Sequence, residues 1–192
     1  MGPRLRGDDA LTASEIEKSK APYLWGPFTR LGLIAALITC VLDQAVKWWL
    51  LYVVGLDGQV VTVAPFLDLV LVWNKGISYG LFQQDGALGQ WPLLLLKVLV
   101  VALIWIWLAR ANTRLTALSL GLLIGGAVGN AIDRVAYGAV ADFAHFHVTT
   151  ATWNFSWYVF NLADVAVVVG ILGFLYDSLL GGRAAKAPRS GT

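Results

Sequence analysis

Apolar residues fall along the chain in four long runs, at about 31–54, 92–109, 115–135 and 159–180. Each is roughly 20 residues long, and as a helix rising 1.5 Å per residue it would cross about 30 Å, the thickness of a bilayer's hydrocarbon core. The pattern therefore predicts four transmembrane helices. Between the first two runs, residues 59–73 are rich in β-branched side chains and hold one proline, Pro65. They predict two or three short strands lying on the membrane surface. Between the last two runs, residues 137–158 read as an aromatic loop with Trp153, Phe155 and Trp157, dipping into the interface.

Composition sharpens the membrane reading. Of 192 residues, 58% are hydrophobic and 14% charged, against about 25% charged in a soluble domain. A soluble fold of this length could not hide so much apolar surface. A formal net charge of +2 gives no argument for nucleic acid, and the nine tryptophans suit lipid-facing and interfacial positions. The single cysteine, Cys40, cannot form an internal disulfide and reads as a small hydrophobe. Residues 1–30 are polar and lack the apolar core of a cleavable signal peptide. Three parts follow: an N-terminal tail (1–29), a four-helix domain (30–181) with outer loops 55–91 and 136–158, and a C-terminal tail (182–192).

Charge gives the orientation. Arg4, Arg6, Lys18, Lys20 and Arg30 precede the first run, Arg110 and Arg114 join the second to the third, and Arg183, Lys186 and Arg189 follow the fourth. With four spans these ten of the 14 basic residues share one face. The positive-inside rule puts that face, and both termini, in the cytoplasm. Gly121, Gly125 and Gly129 recur every four residues in the third run, a spacing that lets helix backbones approach closely in lipid.

Ionisable groups inside apolar runs cost about 2.5–3.5 kcal/mol each on insertion scales, so their placement is informative. Asp43 and Lys47 are four apart and can pair on one helix face. Asn130, Asp133 and Arg134 share a face at the outer end of the third run; Asn161 and Asp164 open the fourth; Asp142 and Asn74 lie in the outer segments. All map to one depth, near the outer interface, which predicts a single polar site. Two carboxylates there can hydrolyse a peptide bond, one ionised and taking a proton from water, the other protonated and donating to the scissile carbonyl. No metal, cofactor or covalent nucleophile is needed. Spacing alone leaves the pair open among Asp43, Asp133, Asp142 and Asp164. Asp177 reads as solvated at the cytoplasmic end, and Lys97 as snorkelling to the interface. His145 and His147 follow Asp142, but a metal site needs more ligands than these, and no His-Glu-x-x-His or paired cysteine is present. Ser78 with Lys75 or Lys97 lacks any spacing that supports a serine–lysine peptidase. A small proton-coupled transporter is the alternative for intramembrane carboxylates, although transport sites tend to lie near the midplane.

Five stretches, in order, carry a resemblance: Leu42-Asp43-Gln44-Ala45-Val46-Lys47; Asn74-Lys75-Gly76-Ile77-Ser78-Tyr79-Gly80; Gly125 to Arg134; Val140-Ala141-Asp142-Phe143; and Phe160-Asn161-Leu162-Ala163-Asp164. The chain resembles bacterial lipoprotein signal peptidase (signal peptidase II), a four-span aspartic endopeptidase. The resemblance implies that Asp142 and Asp164 are the catalytic dyad. It implies that Asp43, Lys47, Asn74, Gly76, Gly126, Asn130, Asp133, Arg134 and Asn161 shape the site or hold substrate. The implied substrate is a prolipoprotein carrying diacylglycerol on its cysteine, cut just before that cysteine by a monomeric enzyme of the bacterial inner membrane, in contact with membrane lipids. The implied fold is an all-α membrane protein of four transmembrane helices, with a small periplasmic β-cradle from the first outer loop and a mobile periplasmic flap from the second. The N-terminal tail is longer than the family core needs, and Val140-Ala141 stands where the family often has two valines.

Overall fold

A computed structural model describes residues 24–76 and 87–181, with side chains described at 24–76 and 95–180. The tail segments 1–23 and 182–192, and residues 77–86 with Ser78 among them, lie outside the described residues.

Four helices form where the apolar runs predict them. Helix α1 (Thr29–Trp48) continues through a π-helical segment, Trp49–Val54, that ends at Gly55 in the left-handed region (φ 67°). Helix α2 is Ala87–Ala109, α3 is Arg114–Tyr137, and α4 is Leu162–Tyr176, extended by π turns over Asp177–Gly181. Among the described residues, three helices are long and apolar enough to cross a membrane: Thr29–Val54, Arg114–Tyr137 and Leu162–Leu180. The described apolar part of α2 is the shorter Leu95–Ala109.

Helix α3 is central and packs on the other three helices. The glycine stripe explains how. A Cβ on Gly121 would lie 2.3 Å from the Gly32 carbonyl oxygen, and one on Gly125 would lie 2.5 Å from that of Ala36, so α1 and α3 touch backbone to backbone. The dry contact among α1, α2 and α3 is closed by Ala36, Leu108, Ala117, Leu120 and Ile124. The outward faces carry exposed Ile34, Leu37, Val41, Leu103, Val168 and Leu172, a surface suited to lipid.

The outer segments differ from expectation. Strands β1 (Val60–Ala64) and β2 (Leu67–Asn74) form an antiparallel hairpin. Pro65 sits in its turn, where a missing N–H costs nothing. The segment expected as an interfacial loop or flap instead supplies β3 (Val140–Thr149) and β4 (Asn154–Ser156). The result is a four-stranded antiparallel sheet in the order β1-β2-β3-β4, so "all-α" understates the fold. The reason is pairing. Edge strand β2 offers a row of backbone groups, and β3 meets it from Asn74↔Val140 to Leu67↔Phe146. Leu50, Leu56 and Phe143 are buried beneath this sheet.

Candidate active site

Chain reversals deliver Asp142 and Asp164. Helix α3 ends at Gly138, whose φ of 72° suits a residue without a Cβ, and β3 starts two residues later. Asp142 therefore returns over the end of the helix that carries Asn130, Asp133 and Arg134. Helix α4 starts at Asn161 with a reciprocal cap. The Asn161 side-chain oxygen accepts the Asp164 N–H at 3.0 Å, and the Asp164 carboxylate accepts the Asn161 N–H at 3.2 Å.

That cap ties Asp142 to Asp164. Asn161 Nδ2 donates to Asp142 Oδ1 at 2.6 Å and to Asn130 Oδ1 at 3.0 Å, while Asn130 Nδ2 donates to Asp164 Oδ1 at 2.9 Å. Asn74, the last residue of β2, donates to Asp142 Oδ2 at 3.1 Å. Its own Oδ1 accepts the Gly76 N–H at 3.1 Å. Four amide and backbone donors thus fix two carboxylates, and both line one cavity of about 220 Å³ with Asn74, Gly76, Asn130 and Arg134. Burial pushes the Asp142 carboxyl from 3.8 up to about 6, and the charge of Asp164 pushes the same way; the Asn74 and Asn161 hydrogen bonds pull against it.

Asp43 and Asp133 stand behind the pair. Lys47 Nζ lies 2.8 Å from Asp43 and 2.7 Å from Asp133, with all three side chains almost wholly buried. Lys47 also donates to Asn130 at 3.1 Å, and Gln44 donates to Asp133 at 2.8 Å. Both carboxylates also accept a backbone N–H. Asp43 accepts the N–H of Ala163 at 2.9 Å, and Asp133 accepts that of Ala141 at 3.2 Å. The ion pair expected between Asp43 and Lys47 is present, with Asp133 as an unforeseen third member. A charge triad this dry holds only because its oxygens and N–H groups are nearly all engaged.

The structure thus brings together Asp43, Lys47, Asn74, Gly76, Asn130, Asp133, Arg134, Asp142, Asn161 and Asp164. Gly126 belongs here by contact, since a Cβ there would lie 2.5 Å from the Ala163 carbonyl oxygen. Arg134 donates through Nη2 to the Gly76 carbonyl, and among the described residues its buried Nε and Nη1 have no hydrogen-bond partner at the cavity edge. Two expectations change. Lys97 lines the same cavity as the carboxylates rather than only an interface. Its one signal in the sequence is the cost of a lysine in an apolar helix. Asp177 is not simply solvated: it accepts hydrogen bonds from Thr113 and Thr116, fastening the end of α4 to the start of α3.

A wider groove of about 830 Å³ adjoins the pair. One side carries Val72, Trp73 and His145 of the sheet, and the other carries Val165, Val168 and Val169 of α4. The arrangement has a polar floor with two carboxylates of unequal environment and an apolar wall.

Comparison with known proteins gives the family and the fold. The family described as Signal peptidase (SPase) II matches residues 35–180. A lipoprotein signal peptidase of Rhodopseudomonas palustris (strain TIE-1) is 56% identical over 160 residues, covering 83% of this chain and 98% of its own. One from Methylorubrum extorquens (strain PA1) is 54% identical over 153 residues, covering 78% and 86%. A bacterial membrane enzyme solved by the in meso method superposes with a TM-score of 0.69 at 21% identity, covering 86% of this chain and 96% of that one. A second such structure gives 0.64 at 22% identity, covering 82% and 97%.

Proposed function

The chain belongs to the signal peptidase II family, whose aspartic peptidases remove signal peptides from prolipoproteins, and from that premise we propose that Asp142 and Asp164 are its catalytic pair. One observation carries the assignment. Asn161 donates to Asp142 through its side-chain amide and to the Asp164 carboxylate through its backbone N–H, so one residue holds both carboxylates at the wall of one cavity. Water activated by the ionised carboxylate attacks the scissile carbonyl, and the protonated partner donates to its oxygen. Each aspartate is preorganised by amide donors before substrate arrives, so little reorganisation falls on the chemical step.

The substrate is a prolipoprotein with diacylglycerol on the cysteine that follows the cut. Its peptide crosses the polar floor, and its acyl chains lie against Val165, Val168 and Val169. Binding energy from the lipid then fixes the scissile bond at the carboxylates. The enzyme crosses the inner membrane four times as a monomer, with α2 as the fourth span, both termini cytoplasmic and the sheet on the periplasmic side. The basic residues of the tails and of the α2–α3 turn support this orientation. A peptidase family with curated relatives over most of the chain leaves the transporter reading without support.

The test is cleavage of a diacylglyceryl prolipoprotein against its non-lipidated twin, with a metal chelator present. Lipid-dependent cutting that survives the chelator, and is lost in Asp142→Asn and in Asp164→Asn, is expected. Normal processing by either variant would overturn the pair.

A further inference from the structure

The face of the sheet holds a cluster that the peptidase reaction does not use. Asp68 of β2 stands directly opposite His145 of β3, and His147 follows two residues on, so the alternation of a strand puts all three on one face. Their ligand atoms lie within 4.8 Å of one another. His147 Nε2 is 2.9 Å from Asp68 Oδ2, an ion pair when the ring is protonated, yet among the described residues it has no partner in hydrogen-bond geometry, and the atom is shut off from solvent. A buried imidazole nitrogen that lacks an aligned hydrogen-bond partner, set beside a carboxylate oxygen, is a pair of metal-ligand atoms already brought together.

We propose that Asp68, His145 and His147 bind a divalent transition-metal ion of the zinc class. Two imidazole nitrogens and one carboxylate oxygen suit zinc and its neighbours rather than calcium or magnesium, which prefer all-oxygen sets. Ligands about 2.0–2.2 Å from one ion require only small side-chain rotations from the observed spacing. Outer partners are already in place. The Thr62 hydroxyl donates to Asp68 Oδ1 at 2.8 Å and leaves Oδ2 facing His147, while Ser156 Oγ stands 2.8 Å from His145 Nε2 and orients that ring. The two rings stack with centroids 5.3 Å apart, and the His147 N–H is anchored to the Phe66 carbonyl at 3.0 Å. The ion would stitch β2 to β3, and His145 places it on the wall of the groove that leads to Asp142. Its role is to fix the sheet; hydrolysis stays with the aspartates.

The test titrates chelator-stripped full-length protein in detergent with Zn2+, following heat of binding and thermal unfolding. One ion per chain and a raised unfolding temperature are expected. His147→Gln and Asp68→Asn should weaken binding by about 10–100-fold or more, the scale on which even outer partners of a metal are felt. Both should still cleave lipidated substrate, and Asp142→Asn should bind Zn2+ as the parent does. Binding lost in Asp142→Asn but kept in His147→Gln would move the ion to the carboxylates and overturn the site, as would no stoichiometric binding by the parent. Should the variants misfold, X-ray absorption of the Zn2+-loaded parent decides: two imidazole ligands are expected, and one or none refutes the proposal.

Discussion

Asp43 accepts the backbone N–H of Ala163 at 2.9 Å, one residue before Asp164. Asp133 does the same for Ala141, one residue before Asp142. Each proposed catalytic aspartate thus has its own buried carboxylate holding the peptide unit in front of it, and Lys47 pairs with both holders at once.

Lys47→Met should therefore be among the most damaging changes in the molecule. It leaves two buried carboxylates without a cation, and breaking such pairs costs about 3–5 kcal/mol. Thermal unfolding in detergent should report that loss. Asp43→Ala and Asp133→Ala should be milder in stability, each losing a charge-assisted hydrogen bond of about 1.5–3 kcal/mol. They should lower kcat more than they raise KM, since they position the dyad without touching substrate.

The pH dependence of stability carries the signature of Asp142. Its carboxyl is raised from 3.8 to about 6, so between those values the native fold holds more protons than the unfolded chain. The contribution is present below about 4 and is lost as pH rises through about 6. Unfolding temperatures in that window should fall with pH for the parent and stay flatter for Asp142→Asn. Asn74→Ala, which removes a hydrogen bond that lowers the carboxyl, should carry the fall to higher pH. An identical profile for the parent and Asp142→Asn would contradict the assignment.

Gly126→Ala and Gly121→Ala separate packing from catalysis. The first puts a Cβ 2.5 Å from the Ala163 carbonyl, displacing the start of α4 and Asp164 with it; the second presses on Gly32 of α1. Each should destabilise by about 1–3 kcal/mol through overpacking. Cleavage should fall by about 100-fold in Gly126→Ala, the cost of a displacement near 1 Å at a reacting centre. Assays normalised to folded protein should show Gly121→Ala close to the parent.

Lys97→Met should behave in the opposite way. A methionine relieves a half-buried cation in an apolar helix, so the unfolding temperature should hold or rise. Cleavage should fall, because Lys97 lines the cavity with both aspartates. A variant that loses stability and keeps activity would make Lys97 structural.

The helices and the polar depth are legible in the sequence because each depends on local pattern. Twenty apolar residues in a row have one economical solution in lipid, and Asp43 with Lys47 needs only the pitch of a helix. The β3 strand is less legible. Its aromatic and polar residues read as a loop until β2 supplies a partner, and strand pairing is a long-range fact. The same holds for Asp68, which nothing in its own neighbourhood links to His145 or His147. The backbone bonds from Asp43 to Ala163 and from Asp133 to Ala141 escape any reading by residue type, since one partner in each is a peptide group common to every position. Choosing Asp142 and Asp164 from four carboxylates rests on the resemblance of five motifs, and the shared Asn161 contact now gives that choice a geometric companion.

The groove beside Asp142 has valines of α4 for one wall, and in the proposed membrane orientation a molecule seated there is solvated by lipid on its exposed side. Its effective concentration is therefore set by how many copies dissolve in the bilayer, not by how many are present per litre. Titrations of substrates or inhibitors at fixed aqueous dose should shift when only the amount of detergent or lipid is changed, and affinities should agree once expressed as mole fraction in the apolar phase.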